Sequence, residues 1–192
     1  MKPSNKLLDT GLALMSREGL SGVTLGRLAD DVGMSKSGVF AHFRSKVDVQ
    51  LALLDHTSKL AGPCVLEPAM REPPGLGRLN AFIENWFGWA PRAGLPGGCP
   101  IAAAMFELDD MDGPLRDKVL LMERELRAMI GVLVGEAITT GELRADVDVE
   151  QLVWELCGIY LGHHVASRFV RDPTADARSR IAVQALLERA KP

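Results

Sequence analysis

The spacing of three residues in the segment 24–46 restricts the local structure more than any other feature of this sequence. Ala29 is followed four positions later by Gly33, and six positions after that by Val39. Two short helices that cross steeply over a tight turn require this order. The close crossing needs a small residue, the turn needs a residue that tolerates a positive φ, and the second helix needs an apolar anchor. The segment therefore predicts a helix-turn-helix.

The residues around this triplet favour the same structure. Starting from Leu25, apolar residues recur at i, i+3, i+4 and i+7, which is the spacing of an amphipathic helix. Thr24 and Ser35 stand where helix N-caps are expected. The sequence therefore predicts helices over 25–32 and 36–43. The alternative is that the segment is only an antiparallel helix pair in a helical core.

The outward positions of the second short helix are small, polar or basic, as a helix that enters the major groove of DNA requires. Free N–H groups at the starts of both helices favour a phosphate. Basic side chains can donate to phosphate oxygens, and small residues let the backbone approach the base edges. The predicted DNA-binding residues are Thr24, Ser35, Lys36, Ser37, Gly38, Phe40, His42 and Lys46.

Helical periodicity continues through the rest of the chain, and no segment shows the sustained alternation of a strand. We predict an all-α fold of about nine helices, with an N-terminal three-helix head and a larger C-terminal helical body. The domains are expected at 1–47 and 48–192. The predicted helices span 4–18, 25–32, 36–43, 46–60, 76–91, 100–109, 114–139, 149–170 and 175–190, with a linker or a broken helix over 61–75.

Charge is distributed unevenly along the chain, whose net charge is −3. Residues 1–60 carry eight Lys and Arg against six Asp and Glu, whereas the remainder carries 14 against 19. A basic head on an acidic body suits a protein whose head alone faces DNA.

The sequence predicts a cytoplasmic protein with reduced thiols. No apolar run approaches the roughly 20 residues that span a bilayer, and the N-terminus lacks a signal-peptide core. The three cysteines, Cys64, Cys99 and Cys157, lie far apart without a CxxC pair, which indicates small buried hydrophobic residues rather than disulfides. Redox activity of Cys99 in the PGGCP segment is an open alternative.

The run from Gly19 through Leu54, GLSGVTLGRLADDVGMSKSGVFAHFRSKVDVQLALL, resembles the DNA-binding domain of TetR-type (tetracycline-repressor-like) regulators. The resemblance implies an Ω-shaped homodimer of nine or ten helices whose last two long helices form an intersubunit four-helix bundle. It also implies a mostly apolar ligand pocket in the body. The family often has Tyr at position 40, with its hydroxyl on a phosphate. Phe40 lacks that group and Ala41 offers no hydrogen bond, so specificity is expected to depend on Ser37, backbone approach and DNA shape.

The body carries candidates for an effector pocket. Aromatic and methionine side chains concentrate between 82 and 108 and on the helix 114–139. Such side chains fill irregular cavities and suit a small, mostly apolar effector, although any one of them is more commonly a plain core residue. Polar residues among them would orient the ligand. The pocket candidates are Phe82, Asn85, Trp86, Trp89, Cys99, Met105, Phe106, Met122, Leu126, Tyr160 and His163.

Two apolar faces near the C-terminus predict a homodimer. Two heads in one dimer would bind the two half-sites of a palindromic operator. Effector binding is expected to move the helix 46–60 and change the spacing of the heads, with repression as the family default. The predicted faces are Leu152, Leu156, Ile159 and Tyr160 on one helix, and Val183, Leu186, Leu187 and Ala190 on the next.

Enzyme motifs are missing from the sequence, which contains no P-loop, no GxGxxG after a strand and no GxSxG. Adjacent His163 and His164 would point about 100° apart on a helix and are poorly placed to share a metal. We therefore expect no catalysis, no metal and no cofactor. The expected partners are double-stranded operator DNA, a second copy of the chain and a small-molecule effector, with no membrane. The alternative function is a helical ligand- or protein-binding adaptor that has lost DNA recognition.

Overall fold

A computed structural model describes the backbone of residues 3–192 and the side chains of residues 5–192. All regular structure in this range is helical, which confirms the predicted all-α fold. The described residues form ten α-helices, where about nine were predicted. These are α1 (Pro3–Gly22), α2 (Leu25–Val32), α3 (Lys36–Phe40), α4 (Lys46–Ala69), α5 (Leu76–Trp86), α6 (Trp89–Arg92), α7 (Pro100–Glu107), α8 (Pro114–Thr139), α9 (Val149–Val165) and α10 (Ala175–Ala190).

The additional helix arises at Gly88, where the predicted helix 76–91 is interrupted. Gly88 adopts φ 69° and ψ 21°, and α6 begins at the next residue. A positive φ lies outside the right-handed helical region, and glycine reaches it without a steric penalty. The prediction of one continuous helix here is therefore wrong, because the glycine was not recognised as a break.

The prediction that the fourth helix ends near residue 60 is also wrong, since α4 continues through Gly62 and Pro63 to Ala69. A proline inside a helix removes one backbone hydrogen bond and crowds the preceding turn. Val65 and Ala69, one turn apart beyond the proline, are only 6% and 0% exposed. Burial of these apolar side chains favours continuation of the helix and offsets the local cost.

The predicted helix 149–170 changes its geometry near its end. It is α-helical to Val165 and continues as a π-helical turn over Ala166–Val170. Arg171 then adopts φ 59° and donates its N–H to the carbonyl of Ala166. Such wide turns occur where a helix cannot continue regularly, and here the turn redirects the chain toward α10.

Packing divides the chain into two compact units. The first contains the described residues up to Pro63 together with Gly88–Leu121, and the second contains Cys64–Phe87 and Met122–Pro192. The predicted boundary between the DNA-binding domain (1–47) and the body (48–192) separates functions rather than packing units, and it stays a prediction. Met1 and Lys2, where the predicted DNA-binding domain starts, lie outside the described residues.

Each unit has an apolar core. The most deeply buried side chains of the first unit include Leu14, Met15, Leu28, Leu53 and Leu54. Those of the second include Leu79, Phe82, Ile130, Val134 and Leu156. None of the helices in the described part of the chain has both the length and the hydropathy that crossing a bilayer requires.

Candidate nucleic-acid interface and effector-binding body

The turn between α2 and α3 has the predicted helix-turn-helix geometry. Gly33 follows α2 in the left-handed region, with φ 71° and ψ 32°. The N–H of Met34 then donates to the carbonyl of Ala29 at 3.0 Å, which closes the turn. Ala29 and Val39 are 1% and 0% exposed, as the close crossing and the apolar anchor require. The three spaced residues therefore have the roles that the sequence predicted for them.

Hydroxyl side chains begin both short helices. Thr24 Oγ1 accepts the N–H of Arg27 at 3.1 Å, and Ser35 Oγ accepts the N–H of Gly38 at 3.1 Å. The hydroxyls of Ser35 and Ser37 also lie 3.0 Å apart. N-caps of this kind satisfy N–H groups that have no partner within the helix. The polar groups at both helix starts are thus fixed in place by local hydrogen bonds.

The second short helix ends earlier than predicted, at Phe40 rather than at residue 43. The carbonyl of Val39 accepts the N–H groups of both His42 and Phe43, each at 3.0 Å. Sharing one carbonyl between two donors tightens the last turn and is common at helix ends. Ser45 then caps α4 by accepting the N–H of Asp48 at 3.1 Å.

The predicted DNA-binding residues lie on the surface of the first unit. Gly38 is half-buried and the others are exposed, including Phe40 at 51%. Among the described side chains, none forms a hydrogen bond or an ion pair with Lys36 or His42. Lys46 differs, because its Nζ donates to the carbonyl of Ser21 at 3.1 Å. Contact of these residues with DNA stays a prediction.

Arg44 is a further candidate that the sequence analysis left out. It lies in the short connection between α3 and α4, and its side chain is exposed. Within the described part of the chain, it has no ion-pair partner. A basic residue between His42 and Lys46 was a usable signal, since a phosphate-facing edge is expected to carry several cations.

In the second unit, an aromatic cluster brings together several of the predicted pocket residues. Trp86 stacks on Tyr160, with ring centroids 4.1 Å apart and planes 12° apart, and it lies 6.0 Å from Phe82. Phe87, which the sequence analysis did not include, lies edge-on to Tyr160 at 5.4 Å and 5.3 Å from His163. Its position directly after Trp86 was the signal that could have identified it. Offset and edge-to-face contacts of this kind stabilise the aromatic cluster.

Polar groups adjoin this cluster. Nε2 of His163 lies 2.7 Å from Oδ1 of Asp176, which joins α9 to α10. Asn85 is half-buried, and its Nδ2 donates to the carbonyl of Ala81 at 2.7 Å. The remaining second-unit candidates, Met122 and Leu126, are half-buried on α8.

A charged pair on α8 was also missed by the sequence analysis. Nε of Arg127 donates to Oε1 of Glu123 at 2.7 Å, and the Glu123 side chain is only 14% exposed. Both charges act on the buried thiol of Cys157 on α9, whose pKa is raised to about 11, mainly by burial. The sequence analysis considered only the apolar side chains of this helix, whereas this charged pair faces α9.

The other pocket candidates belong to the first unit. Trp89 is buried, Cys99 and Met105 are half-buried, and Phe106 is 51% exposed. Cys99 precedes α7 and provides no side-chain cap. In the described residues, no group of three or more His, Cys, Asp or Glu side chains is arranged to hold a metal ion. A pocket formed by the eleven candidate residues stays a prediction.

The apolar faces that were predicted to pair between subunits are already covered within one chain. Leu152 and Leu156 on α9 are 5% and 0% exposed, and Leu186 and Leu187 on α10 are 4% each. The prediction of these faces as an intersubunit surface is therefore wrong, because every one of these side chains except the half-buried Ile159 is already buried within one chain. The opposite faces carry different apolar side chains. Trp154 is 64%, Val165 39% and Ile181 65% exposed.

A short helix with a small, basic outward face, carried on this turn in an all-helical chain, defines a helix-turn-helix transcription regulator. The chain belongs to the TetR family. Residues 7–53 match the family described as "Bacterial regulatory proteins, tetR family", and residues 75–183 match the "Tetracyclin repressor-like, C-terminal domain".

Known proteins share both sequence and fold with this chain. The nucleoid occlusion factor SlmA of Enterobacter sp. (strain 638) is 28% identical over 178 residues, covering 91% of this chain and 88% of the relative. A TetR transcriptional regulator from Chloroflexus aurantiacus J-10-FL has a TM-score of 0.83 at 26% identity, covering 96% of this chain and 91% of that one.

Two further solved structures share the fold. The TetR-family regulator from Cytophaga hutchinsonii has a TM-score of 0.87 at 16% identity, covering 97% of this chain and 94% of that one. AibR, solved in complex with isovaleryl coenzyme A and operator DNA, has a TM-score of 0.70 at 18% identity, covering 92% of this chain and 96% of its own.

Proposed function

We propose that this protein is a homodimeric transcriptional repressor that binds a palindromic operator through α2 and α3 and responds to a small, mostly apolar effector. The observation that carries the proposal is the outward face of α3. Lys36 is exposed on this face and His42 is exposed just beyond the end of the helix, and no described side chain pairs with either of them. Hydrogen-bond donors held in this way, on and directly after a capped helix, suit phosphate oxygens beside a major groove.

Dimerisation is supported by the outward surfaces of α9 and α10. Trp154, Val165 and Ile181 form exposed apolar positions on a helix pair whose inner faces are already packed. Gly158 and Gly162, also exposed on α9, leave room for a second helix to approach closely. Apolar surface of this kind marks an interaction site, and a second copy could cover it through a two-fold, self-complementary contact.

A mostly apolar effector is supported by the aromatic cluster of Phe82, Trp86, Phe87 and Tyr160. His163, whose ring lies 5.3 Å from that of Phe87 at the edge of the cluster, would orient the ligand. AibR has the same fold and was solved with isovaleryl coenzyme A, an ester that joins a short apolar chain to a polar carrier. An acyl ligand is therefore a rational first class to screen.

Selection of bound fragments from the source genome by the purified protein, at low salt, tests the DNA-binding part of the proposal. The wild type should enrich fragments that share a palindrome. The Lys36→Ala/Lys46→Ala variant should lose most of the affinity on every sequence, and its salt dependence should fall by about one unit of log–log slope per lysine. Lys59→Ala, which removes an exposed lysine of α4 beyond the helix-turn-helix, is the matched control and should bind normally.

Enrichment by the double variant equal to that of the wild type would exclude this surface as the DNA-binding site. No enrichment by a folded wild type would favour the adaptor that has lost DNA recognition.

The relatives named nucleoid occlusion factors suggest a second candidate function. Their similarity extends through the body, with 91% of this chain covered at 28% identity in the Enterobacter relative. Under this alternative, deletion of the gene would change where cells divide relative to the nucleoid and leave transcription near the bound sites unaltered. The repressor proposal expects the reverse, with raised transcription of genes adjacent to the palindrome and normal division.

A further inference from the structure

The first helix is interrupted just before the helix-turn-helix, at Gly19. This residue has φ 75° and ψ −176°, which breaks the helical hydrogen bonding and leaves the next two N–H groups without helical partners. Both are bound by one carboxylate. The N–H of Leu20 donates to Oε1 of Glu107 at 2.9 Å, and the N–H of Ser21 donates to Oε2 at 2.9 Å.

Glu107 occupies this position only because residue 19 has no side chain. A Cβ at Gly19 would collide with the Glu107 carboxylate, and the positive φ disfavours any other residue. Hydrogen bonds to a charged carboxylate are roughly twice as strong as those between neutral groups. Glu107 is the last residue of α7, so the C-terminal end of α7 is fixed to the chain just after Gly19.

The carbonyl groups of the same two residues are bound by α4. Nε2 of Gln50 donates to the carbonyl of Leu20 at 2.6 Å in a buried contact, and Nζ of Lys46 donates to that of Ser21 at 3.1 Å. Both the N–H groups and the carbonyl groups of Leu20 and Ser21 are therefore hydrogen-bonded to side chains of other helices. Thr24, which caps α2, follows three residues later, so this backbone sets where α2 begins.

The segment before α7 is joined to α1 as well. The N–H groups of Gly97 and Gly98 donate to the hydroxyl and the carbonyl of Ser16, each at 3.1 Å. A Cβ at Gly97 would collide with the Ser16 carbonyl. The segment 97–107 is thus attached to α1 at both of its ends, all within the first unit.

We propose that Glu107 is a positioning residue for DNA binding, whose carboxylate fixes the start of α2 to α7. A displacement of α7 would then move the helix-turn-helix directly through the backbone of Leu20 and Ser21. This connection is separate from the movement of α4 expected from the sequence. The inference rests on the proposed function, because it assumes that α2 and α3 bind DNA.

The sign of the effect of removing Glu107 separates positioning from electrostatics. A carboxylate near DNA repels phosphate, so its loss would ordinarily strengthen binding or leave it unchanged. If Glu107 instead positions the start of α2, its loss should weaken DNA binding. In Glu107→Gln, one acceptor oxygen becomes an amide that faces an N–H, and the dissociation constant for the selected fragment should rise by about tenfold. The salt dependence should stay as in the wild type, because Glu107 is not a phosphate contact.

Amide hydrogen exchange of the full-length protein without DNA provides a second, independent readout. Amides of residues 20–32 should exchange about tenfold faster in Glu107→Gln, since the carboxylate holds the start of α2. Glu125→Gln, which neutralises an exposed glutamate on α8 without a partner among the described residues, is the matched control and should behave as the wild type. Both variants are compared at a temperature where circular dichroism shows that they are fully folded.

Unchanged exchange over residues 20–32 in Glu107→Gln would overturn the proposal even if no DNA fragment had been identified. Faster exchange combined with DNA affinity equal to or tighter than that of the wild type would also overturn it, because the contact would then be structural only. A wild type that binds no DNA would defeat the proposed function instead, which makes the two failures distinguishable.

Discussion

The helix-turn-helix and the C-terminal helix pair present opposite kinds of outward surface, although both are built from amphipathic helices. Outward positions of α3 carry Lys36, Ser37 and the 51%-exposed Phe40, with His42 just beyond its end. Outward positions of α9 and α10 carry Trp154 and Ile181, at 64% and 65% exposure. A polar, basic surface suits a polyanion, and an apolar surface suits a second apolar surface. The comparison supports the proposal that α3 binds DNA and that α9 and α10 bind a second copy of the chain.

The difference extends to how the two regions are held together. In α2 and α3, short helices depend on caps from Thr24 and Ser35 and on the left-handed conformation of Gly33. In α9 and α10, two long helices share a buried seam. Short helices are marginal alone and need each local device, whereas long packed helices obtain most of their stability from apolar burial. Single substitutions should therefore affect the two regions differently, through local backbone geometry in α2 and α3 and through apolar surface in α9 and α10.

The largest expected effect is on self-association. Trp154→Glu places a charge in the exposed apolar surface of α9, and it should weaken the dimer by about 100-fold or more, since large aromatic residues carry much of an interface's energy. Sedimentation equilibrium measures this directly. Leu121→Glu, which alters a 48%-exposed residue of α8, is the control and should remain dimeric. If Trp154→Glu dimerised with the affinity of the wild type, the exposed surface of α9 would not be the dimer interface.

A smaller effect is expected on stability, with opposite signs at two glycines. Gly33→Ala should lower the free energy of unfolding by about 1 kcal/mol, because alanine is strained at φ 71° although nothing lies within 4 Å of its Cβ. Gly135→Ala, inside α8 and equally uncrowded, should raise it by about 0.5–1 kcal/mol through helix propensity. Urea denaturation compares the two. If the free energy of unfolding changed in the same direction in both variants, the positive φ of Gly33 would not determine the effect of substitution there.

The smallest effect concerns pH and the end of α9. Burial, with lesser contributions from the positive charges of Arg168 and His163, lowers the pKa of His164 from its model-compound value of 6.5. The unfolded chain therefore binds this proton more readily, so the free energy of unfolding should fall as pH falls through 6.5. His164→Gln should reduce this acid-side slope, and Arg168→Gln should reduce it by less. Thermal unfolding between pH 7 and pH 5 measures the slopes; equal slopes in all three proteins would contradict the assignment.

Helix starts were predictable from the sequence because caps are local. Thr24 and Ser35 each accept an N–H three residues ahead, as their positions suggested, and Asp148 does the same at the start of α9. Helix ends were less predictable, because they depend on packing that the local sequence does not contain. The continuation of α4 through Pro63 follows from burial of Val65 and Ala69.

The helix-turn-helix could be predicted nearly residue by residue, but the inward face of α9 could not. Periodicity identified the apolar face that contains Leu152 and Leu156, but it could not indicate whether a second copy or the same chain covers that face. The contact between Glu107 and Leu20 joins residues 87 positions apart and has no local signal either. The predicted first helix ends at residue 18, directly before Gly19, but the role of this glycine beside Glu107 depends on the position of α7.

The fit between Gly19 and Glu107 constrains how this sequence can evolve. While the carboxylate occupies the space beside residue 19, every substitution of that glycine introduces a collision. Loss of the acid at position 107 would remove the collision and leave only the cost of the positive φ. Across relatives, lineages that keep the acid at position 107 should therefore keep the glycine at position 19, and any other residue at 19 should occur only where the acid has been lost.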